Sequence, residues 1–132
     1  MRIVRFLRRP GSPALLVLGL GLGLACGDDT PRTARGPVPG GDPERGRQVI
    51  TESACGVCHT IPGVRGARGL VGPPLTKFGR RSFIAGHLPN TPDNLVLWVL
   101  HPQQIDPRTA MPSLGLDEGQ ARDVAADLYQ LD

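Results

Sequence analysis

The stretch Ala54–Gly63, ACGVCHTIPG, constrains the fold of this chain more than any other feature of its sequence. It places Cys55 and Cys58 three positions apart and puts His59 directly after the second thiol. Several kinds of site use such a pair of cysteines, and each makes a different demand on the rest of the chain. The surrounding residues can therefore discriminate between them.

These surroundings favour covalent attachment of haem. A redox-active dithiol has no need of the adjacent His59 and is expected where a strand leads into a helix. A zinc site needs four ligands, commonly with a second cysteine or histidine pair at short spacing. The remaining histidines, His87 and His101, stand 14 residues apart. A C-x-x-C-H attachment site uses all three residues at once. We therefore expect Cys55, Cys58 and His59 to hold one haem c.

The first 25 residues are typical of an export signal. A basic start with four arginines precedes a run of small and apolar residues over 14–25. Twelve such residues are too few for a membrane-spanning helix, which needs about 20, but they suit the apolar part of a signal peptide. The run ends in Leu24-Ala25-Cys26, which resembles a bacterial lipoprotein box. That resemblance implies a lipid on Cys26 and a position on the periplasmic side of a bacterial membrane. Ordinary cleavage nearby, leaving a free thiol, is the alternative.

Residues 26–41 are expected to form a lipidated N-terminus followed by a flexible linker. Residues 27–41 contain four glycines and three prolines without an apolar period, a composition typical of a tether. A random coil of that length reaches roughly 20 Å. Residues 42–132 then remain as one folded domain.

The charge of the mature chain gives no reason to expect a nucleic-acid partner. Four of the 15 basic residues lie in the export signal, which leaves 11 basic against 12 acidic residues. Five cations and no carboxylate lie between positions 53 and 91, whereas residues 117–132 hold five acids and one arginine. Two solvated faces would explain this, and so would a dipolar surface that orients a charged partner. The five cations are Arg65, Arg68, Lys77, Arg80 and Arg81.

A haem iron also needs a second ligand or an open position. Met111, in the sequence TAMPSL, is the only methionine besides the initiator and lies 52 residues after His59. The competing ligands are His87, in the loop AGHLPN, and His101, which ends a predicted helix before Pro102. We expect ligation by His59 and Met111, with two histidines or an open site as alternatives.

Three helices are predicted around this site. Asp42-Pro43 and Thr91-Pro92 are each typical of a helix start, with a capping side chain followed by proline at the first position. Asp117 with Gln120 is typical of a capping box. The apolar spacing predicts that Val49 and Ile50 of the first helix face inward. In the third helix the predicted inward stripe is Ala121, Val124, Ala125, Leu128 and Leu131.

From about Gly41 to Asp132 the chain resembles the class I c-type cytochromes. The likeness rests on GDPERG for the opening helix, CGVCH for the haem site, GPPL at 72–75 for a following loop and TAMP at 109–112 for the distal loop. It implies an all-α, small cytochrome c fold, with three main helices and loops wrapped round one haem. It also implies that the Pro73 carbonyl accepts a hydrogen bond from His59, that Arg80 and Thr109 reach a propionate, and that Trp98 approaches the Met111 sulfur.

Residues 83–112 are especially similar to the cytochrome c domains fused to some bacterial oxidase second subunits. The resemblance implies a one-electron carrier rather than an enzyme, with a terminal oxidase as acceptor and a quinol-oxidising complex as donor. The alternatives are a haem subunit of a larger oxidoreductase and a haem peroxidase or gas sensor in which Met111 leaves the iron.

The lipoprotein box predicts that Cys26→Ser releases the protein from the membrane. Phase separation in a mild detergent should place the wild-type protein with the detergent and the variant with the water, because a buried acyl chain contributes about 0.8 kcal/mol per methylene. A wild-type protein that stays in the aqueous phase would contradict lipidation of Cys26.

Overall fold

The computed structural model describes residues 38–131. The expected export signal, Cys26 and the expected linker up to residue 37 lie outside the described residues. Within the described part, no helix is long and apolar enough to cross a membrane.

The described chain is mostly helical, with one short antiparallel hairpin. Three helices of nine residues or more lie at the three predicted positions: α1 (Pro43–Glu52), α3 (Pro92–Leu100) and α5 (Glu118–Leu128). Two single-turn helices, α2 (Cys55–Cys58) and α4 (Pro102–Ile105), and a 3₁₀ turn over Phe78–Arg80 join them. The hairpin pairs β1 (Phe83–Ile84) with β2 (Leu88–Pro89).

The hairpin departs from the all-α expectation. Its register places Phe83 opposite Pro89 and Ile84 opposite Leu88. The reversal between the strands requires positive φ at Ala85 (50°) and Gly86 (78°). Only the glycine adopts that conformation without a steric penalty, so the sequence between the strands carries a weak turn signal.

The predicted helix starts are confirmed. The Asp42 carboxylate accepts hydrogen bonds from the first-turn amides of α1 at 2.9 and 3.0 Å, and Thr91 Oγ1 caps α3. The capping box is complete, with Gln120 N donating to Asp117 Oδ1 at 2.8 Å and Asp117 N donating to Gln120 Oε1 at 3.0 Å. These bonds satisfy amides that have no partner within their helices.

The packing of α1 against α5 organises the core. Gly46 lies so close to α5 that a Cβ there would stand 2.5 Å from the carbonyl carbon of Asp123 and 3.1 Å from Asp127 Cβ. Val49 and Ile50 are buried as predicted, and so are all five residues of the stripe predicted for the third helix. Four of them lie in α5 (Ala121, Val124, Ala125 and Leu128), and Leu131 follows the end of that helix.

Two ion pairs join the same helices and respond to pH in opposite directions. Arg45 donates to Asp123 at 2.9 Å, and this hydrogen bond lowers the pKa of Asp123. Burial raises the pKa of Asp127, although Arg47 Nη2 lies 2.7 Å from its Oδ1. The stability contributed by Asp123 is therefore lost as the pH falls through its lowered pKa, whereas that contributed by Asp127 is lost as the pH rises through its raised pKa.

The end of the expected linker belongs to the folded domain. Val38 is 5% exposed and lies in the hydrophobic core. Gly41 N donates to Val38 O at 3.0 Å, and Arg122 of α5 donates to the Pro39 carbonyl at 3.4 Å. Residues 38–41 therefore pack with the domain, ahead of the boundary expected at Asp42. The reason is that the apolar side chain of Val38 is buried in the core.

The α1–α5 contact predicts that Gly46→Ala destabilises the protein. The added methyl overlaps backbone of α5, and overpacking of this kind costs about 1–3 kcal/mol. That outweighs the gain in helix propensity, which is at most about 1 kcal/mol. Chemical unfolding followed by circular dichroism should show a lower midpoint.

Gly119→Ala is the matched control, since Gly119 is exposed in the first turn of α5 and a Cβ there would approach only a side-chain atom, Asp117 Oδ1 at 3.2 Å, and no backbone of another element. It should leave the midpoint unchanged or raise it. Equal behaviour of the two variants would refute the close approach at Gly46.

Candidate functional site

The helices and the loops between them enclose a cavity of about 780 Å³. Its size lies within the range of small-molecule and cofactor pockets, which are largely apolar with a few polar groups. Much of the hydrophobic core faces this cavity. Core residues on its wall include Ile50, Leu95, Trp98, Val99, Val124 and Leu128.

The two predicted thiols lie together on the cavity wall. They begin and end the single turn of α2, which follows Ala54 in a left-handed conformation (φ 53°). Burial raises the pKa of the Cys55 thiol above its ordinary value. Both cysteines are free thiols. The sequence CGVC therefore presents two sulfurs one helical turn apart to the same cavity.

His59 follows directly and is held in a defined orientation. Its Nδ1 lies 2.8 Å from the carbonyl oxygen of Pro73, the contact that the cytochrome resemblance implies. Because a carbonyl oxygen only accepts, Nδ1 carries the proton, and a neutral imidazole then keeps its lone pair on Nε2. His59 lines the cavity and thus has a nitrogen free to act as a ligand.

Glycines let the loop 63–72 lie close enough to make this contact. A Cβ at Gly72 would stand 2.6 Å from His59 Nδ1 and 2.9 Å from Nε2. The Gly72 amide donates to the Cys58 carbonyl at 2.8 Å. The imidazole ring therefore packs on bare backbone, which only glycine allows at this position.

Met111 lines the same cavity from the loop that follows α4. It is partly buried against the core. Its amide donates to Thr109 Oγ1 at 3.3 Å, and its carbonyl accepts from Gln103 Nε2 at 3.3 Å. Thr109 also lies on the cavity wall. The structure therefore brings His59, Thr109 and Met111 to one cavity.

The two other histidines lie away from it. His87 is about two-fifths exposed, and its Nε2 lies 3.3 Å from Asp106 Oδ2. His101 is exposed where α3 ends. Neither belongs to the cavity wall, so His59 and Met111 are the only histidine and methionine among residues 38–131 that face it.

Not all of the remaining predicted site residues reach the cavity. Pro73 and Trp98 line it. In the described part of the chain, the Trp98 indole N–H makes no hydrogen bond to the Met111 sulfur. Arg80 is exposed and lies off the cavity wall, which its neighbour Arg81 joins instead. The sequence places two arginines side by side, and the 3₁₀ turn over Phe78–Arg80 brings the second of them, Arg81, to the cavity wall.

Arg81 is the only lysine or arginine on the described cavity wall. Its guanidinium donates to the carbonyls of Pro74 and Thr76 and lies 5.3 Å over the ring of Phe78. Burial lowers its pKa, but an arginine stays charged in proteins. The cavity therefore holds one fixed positive charge. Asp106, also overlooked at the sequence level, is the only carboxylate on the wall.

An exposed apolar patch borders the thiols. Val57, Leu70 and Val71 are each more than 70% exposed. The Gly69 amide donates to the Gly56 carbonyl at 3.0 Å, which places Leu70 and Val71 beside α2. We call Val57, Leu70 and Val71 the rim patch. Such clustered exposure of aliphatic side chains is typical of a contact surface.

Part of the chain is similar to part of a known respiratory protein. The chain is 41% identical over 69 residues to the cytochrome c oxidase subunit 2 of Alkalihalophilus pseudofirmus. The matched stretch is 52% of this chain and 19% of that protein, so the chain spans about a fifth of the length of the relative it matches. No family model matches the chain.

The packing of His59 predicts that Gly72→Ala displaces the imidazole from Pro73. The new methyl overlaps the ring, and the ring must turn away because the backbone of the loop is tied to Cys58. In nitrogen-15-labelled protein, the slowly exchanging Nδ1–H signal of His59 should disappear. Val71→Ala, at the exposed neighbouring position, should keep it. Retention of the signal in Gly72→Ala would show that the ring does not depend on this glycine.

Proposed function

We propose that this chain is a membrane-tethered carrier of single electrons that holds one haem c in the cavity. Cys55 and Cys58 would bond to it covalently, and His59 and Met111 would ligate its iron. The observation that carries the proposal is that two thiols, an oriented imidazole and a thioether line one largely apolar cavity. Haem, when bound, supplies an iron centre that changes by one electron, and a methionine ligand raises its potential.

The residues of the chain set the conditions for that chemistry. The hydrogen bond to Pro73 fixes the tautomer and orientation of His59, and such contacts also raise the basicity of a ligating imidazole. If Met111 ligates the iron, it would compete with any external substrate for it, which favours electron transfer over binding of oxygen or peroxide. The largely apolar wall would limit the access of water to the site.

Arg81 is the basic side chain best placed to meet carboxylates of the cofactor. Its guanidinium is anchored by two loop carbonyls and lies on the wall, whereas Arg80 is exposed and does not line the cavity. Thr109 lies on the same wall as the second candidate for that contact. The role that the cytochrome resemblance suggests for Arg80 is therefore proposed for Arg81.

The partner is proposed to be a respiratory redox protein. The rim patch borders the thiols, and Arg65 and Arg68 are exposed in the same loop. Apolar contact with a cationic border suits a partner with an acidic rim. Similarity to an oxidase subunit supports a terminal oxidase as acceptor, with a quinol-oxidising complex as donor. Lipid on Cys26 would keep the domain at the periplasmic side of the membrane.

That similarity also favours a second candidate, a haem subunit that works inside a larger oxidoreductase. Purification in mild detergent distinguishes the two. A carrier should migrate alone, whereas a subunit should retain stoichiometric partners through size-exclusion chromatography.

The ligand set predicts that ferric wild-type protein shows the sulfur-to-iron absorption band and that Met111→Leu abolishes it. Leu114, which lines the cavity three residues later in the same loop, provides the control. Leu114→Met should leave the band intact, and the double variant Met111→Leu/Leu114→Met should not restore it. Persistence of the band in Met111→Leu would remove Met111 from the iron.

Carbon monoxide tests the alternative of a haem enzyme or sensor. Reduced wild-type protein should be inert to the gas, and Met111→Leu should bind it. Rapid stoichiometric binding by the wild type would favour the peroxidase or sensor instead of the carrier.

A further inference from the structure

We propose that His87 is a positioning residue that restrains the Met111 loop through Asp106. It thereby limits how readily an external ligand replaces Met111. The inference rests on the proposed function, in which Met111 is an iron ligand. It assigns a role to His87, which the sequence suggested only as an alternative iron ligand.

The hairpin provides a firm support for His87. His87 follows the two positive-φ residues of the turn, and its amide donates to the Ile84 carbonyl at 2.9 Å. The side chain of Ile84 is only 1% exposed and belongs to the hydrophobic core. The His87 imidazole therefore projects from a short turn that is hydrogen-bonded to Ile84, a buried core residue.

Asp106 connects this support to the Met111 loop. One carboxylate oxygen, Oδ2, lies 3.3 Å from His87 Nε2, and the other, Oδ1, accepts from the Arg108 amide at 3.0 Å. The Asp106 carbonyl accepts from the Thr109 amide at 3.0 Å, and Thr109 Oγ1 accepts from the Met111 amide. A continuous series of contacts thus runs from the hairpin to Met111.

The loop has little other regular support. After α4 ends at Ile105, residues 109–117 form neither helix nor strand. Among the described residues, the Met111 backbone makes one further hydrogen bond, from Gln103 Nε2 to its carbonyl at 3.3 Å, and Ser113 of the same loop donates to Gln103 Oε1 at 3.4 Å. A displacement of Asp106 would therefore be transmitted to Met111 with few contacts opposing it.

The size of the effect follows from exposure. The His87 and Asp106 side chains are 42% and 20% exposed, and a polar contact between two such surface groups shifts an equilibrium by up to about fivefold. Arg108 Nε, 3.8 Å from Asp106 Oδ1 and itself 91% exposed, competes for the same carboxylate. A contribution of that size is small for global unfolding but measurable in the local equilibrium by which Met111 leaves its position.

Displacement of Met111 by imidazole tests the inference in the complete, haem-loaded protein. The sulfur-to-iron band reports the fraction of protein that retains Met111, and imidazole is titrated until the band is lost. His87→Ala and Asp106→Asn should each raise the apparent affinity for imidazole about two- to fivefold. The double variant should exceed neither single variant appreciably, because both substitutions remove the same contact.

His101→Ala is the matched control, since it removes an imidazole that is also exposed but does not contact Asp106. It should bind imidazole like the wild type. An unchanged affinity in His87→Ala, or single effects that multiply in the double variant, would overturn the proposed link between His87 and Asp106. A wild-type protein without the band would overturn ligation by Met111 and this inference together. The two failures are therefore distinguishable.

Discussion

The close approach of α1 and α5 at Gly46 is the contact on which the rest of the structure depends. It ties the first and last helices together and leaves much of the apolar core facing a cavity. The Arg45–Asp123 pair reinforces this crossing. Because α1 runs directly into α2, the position of the crossing also sets where Cys55 and Cys58 meet the cavity wall.

The orientation of His59 follows from a second close approach. Gly72 brings loop backbone against the imidazole, and the Pro73 carbonyl accepts a hydrogen bond from Nδ1–H, so Nε2 is the nitrogen that can act as a ligand. Met111 reaches the same cavity on a loop with few supports. In the proposed carrier, His59 is thus held rigidly, whereas the position of Met111 depends on a few local contacts. That contrast makes the proposed role of His87 testable.

The sequence is informative where a feature depends only on residues that lie close together along the chain. Asp42, Thr91 and Asp117 predicted three helix starts because capping depends only on residues within one turn, and the C-x-x-C-H spacing predicted that its side chains share one site. The remaining features depend on tertiary contacts. Which of Arg80 and Arg81 lies on the cavity wall depends on how a 3₁₀ turn is rotated, and the burial of Val38 depends on how residues 38–41 pack against the core. The sequence does not predict the hairpin because alanine, which stands at position 85 with a positive φ, is not a residue typical of turns.

Covalent attachment of haem through sulfur is the central claim, and acid-solvent extraction of denatured protein tests it most directly. The protein is produced in a host that matures such proteins, unfolded, and extracted with acidified organic solvent. We expect the colour to remain with the polypeptide, and replacement of both Cys55 and Cys58 by serine to allow it to be extracted. Colour that leaves the wild-type chain, or a chain that acquires none, would contradict the account.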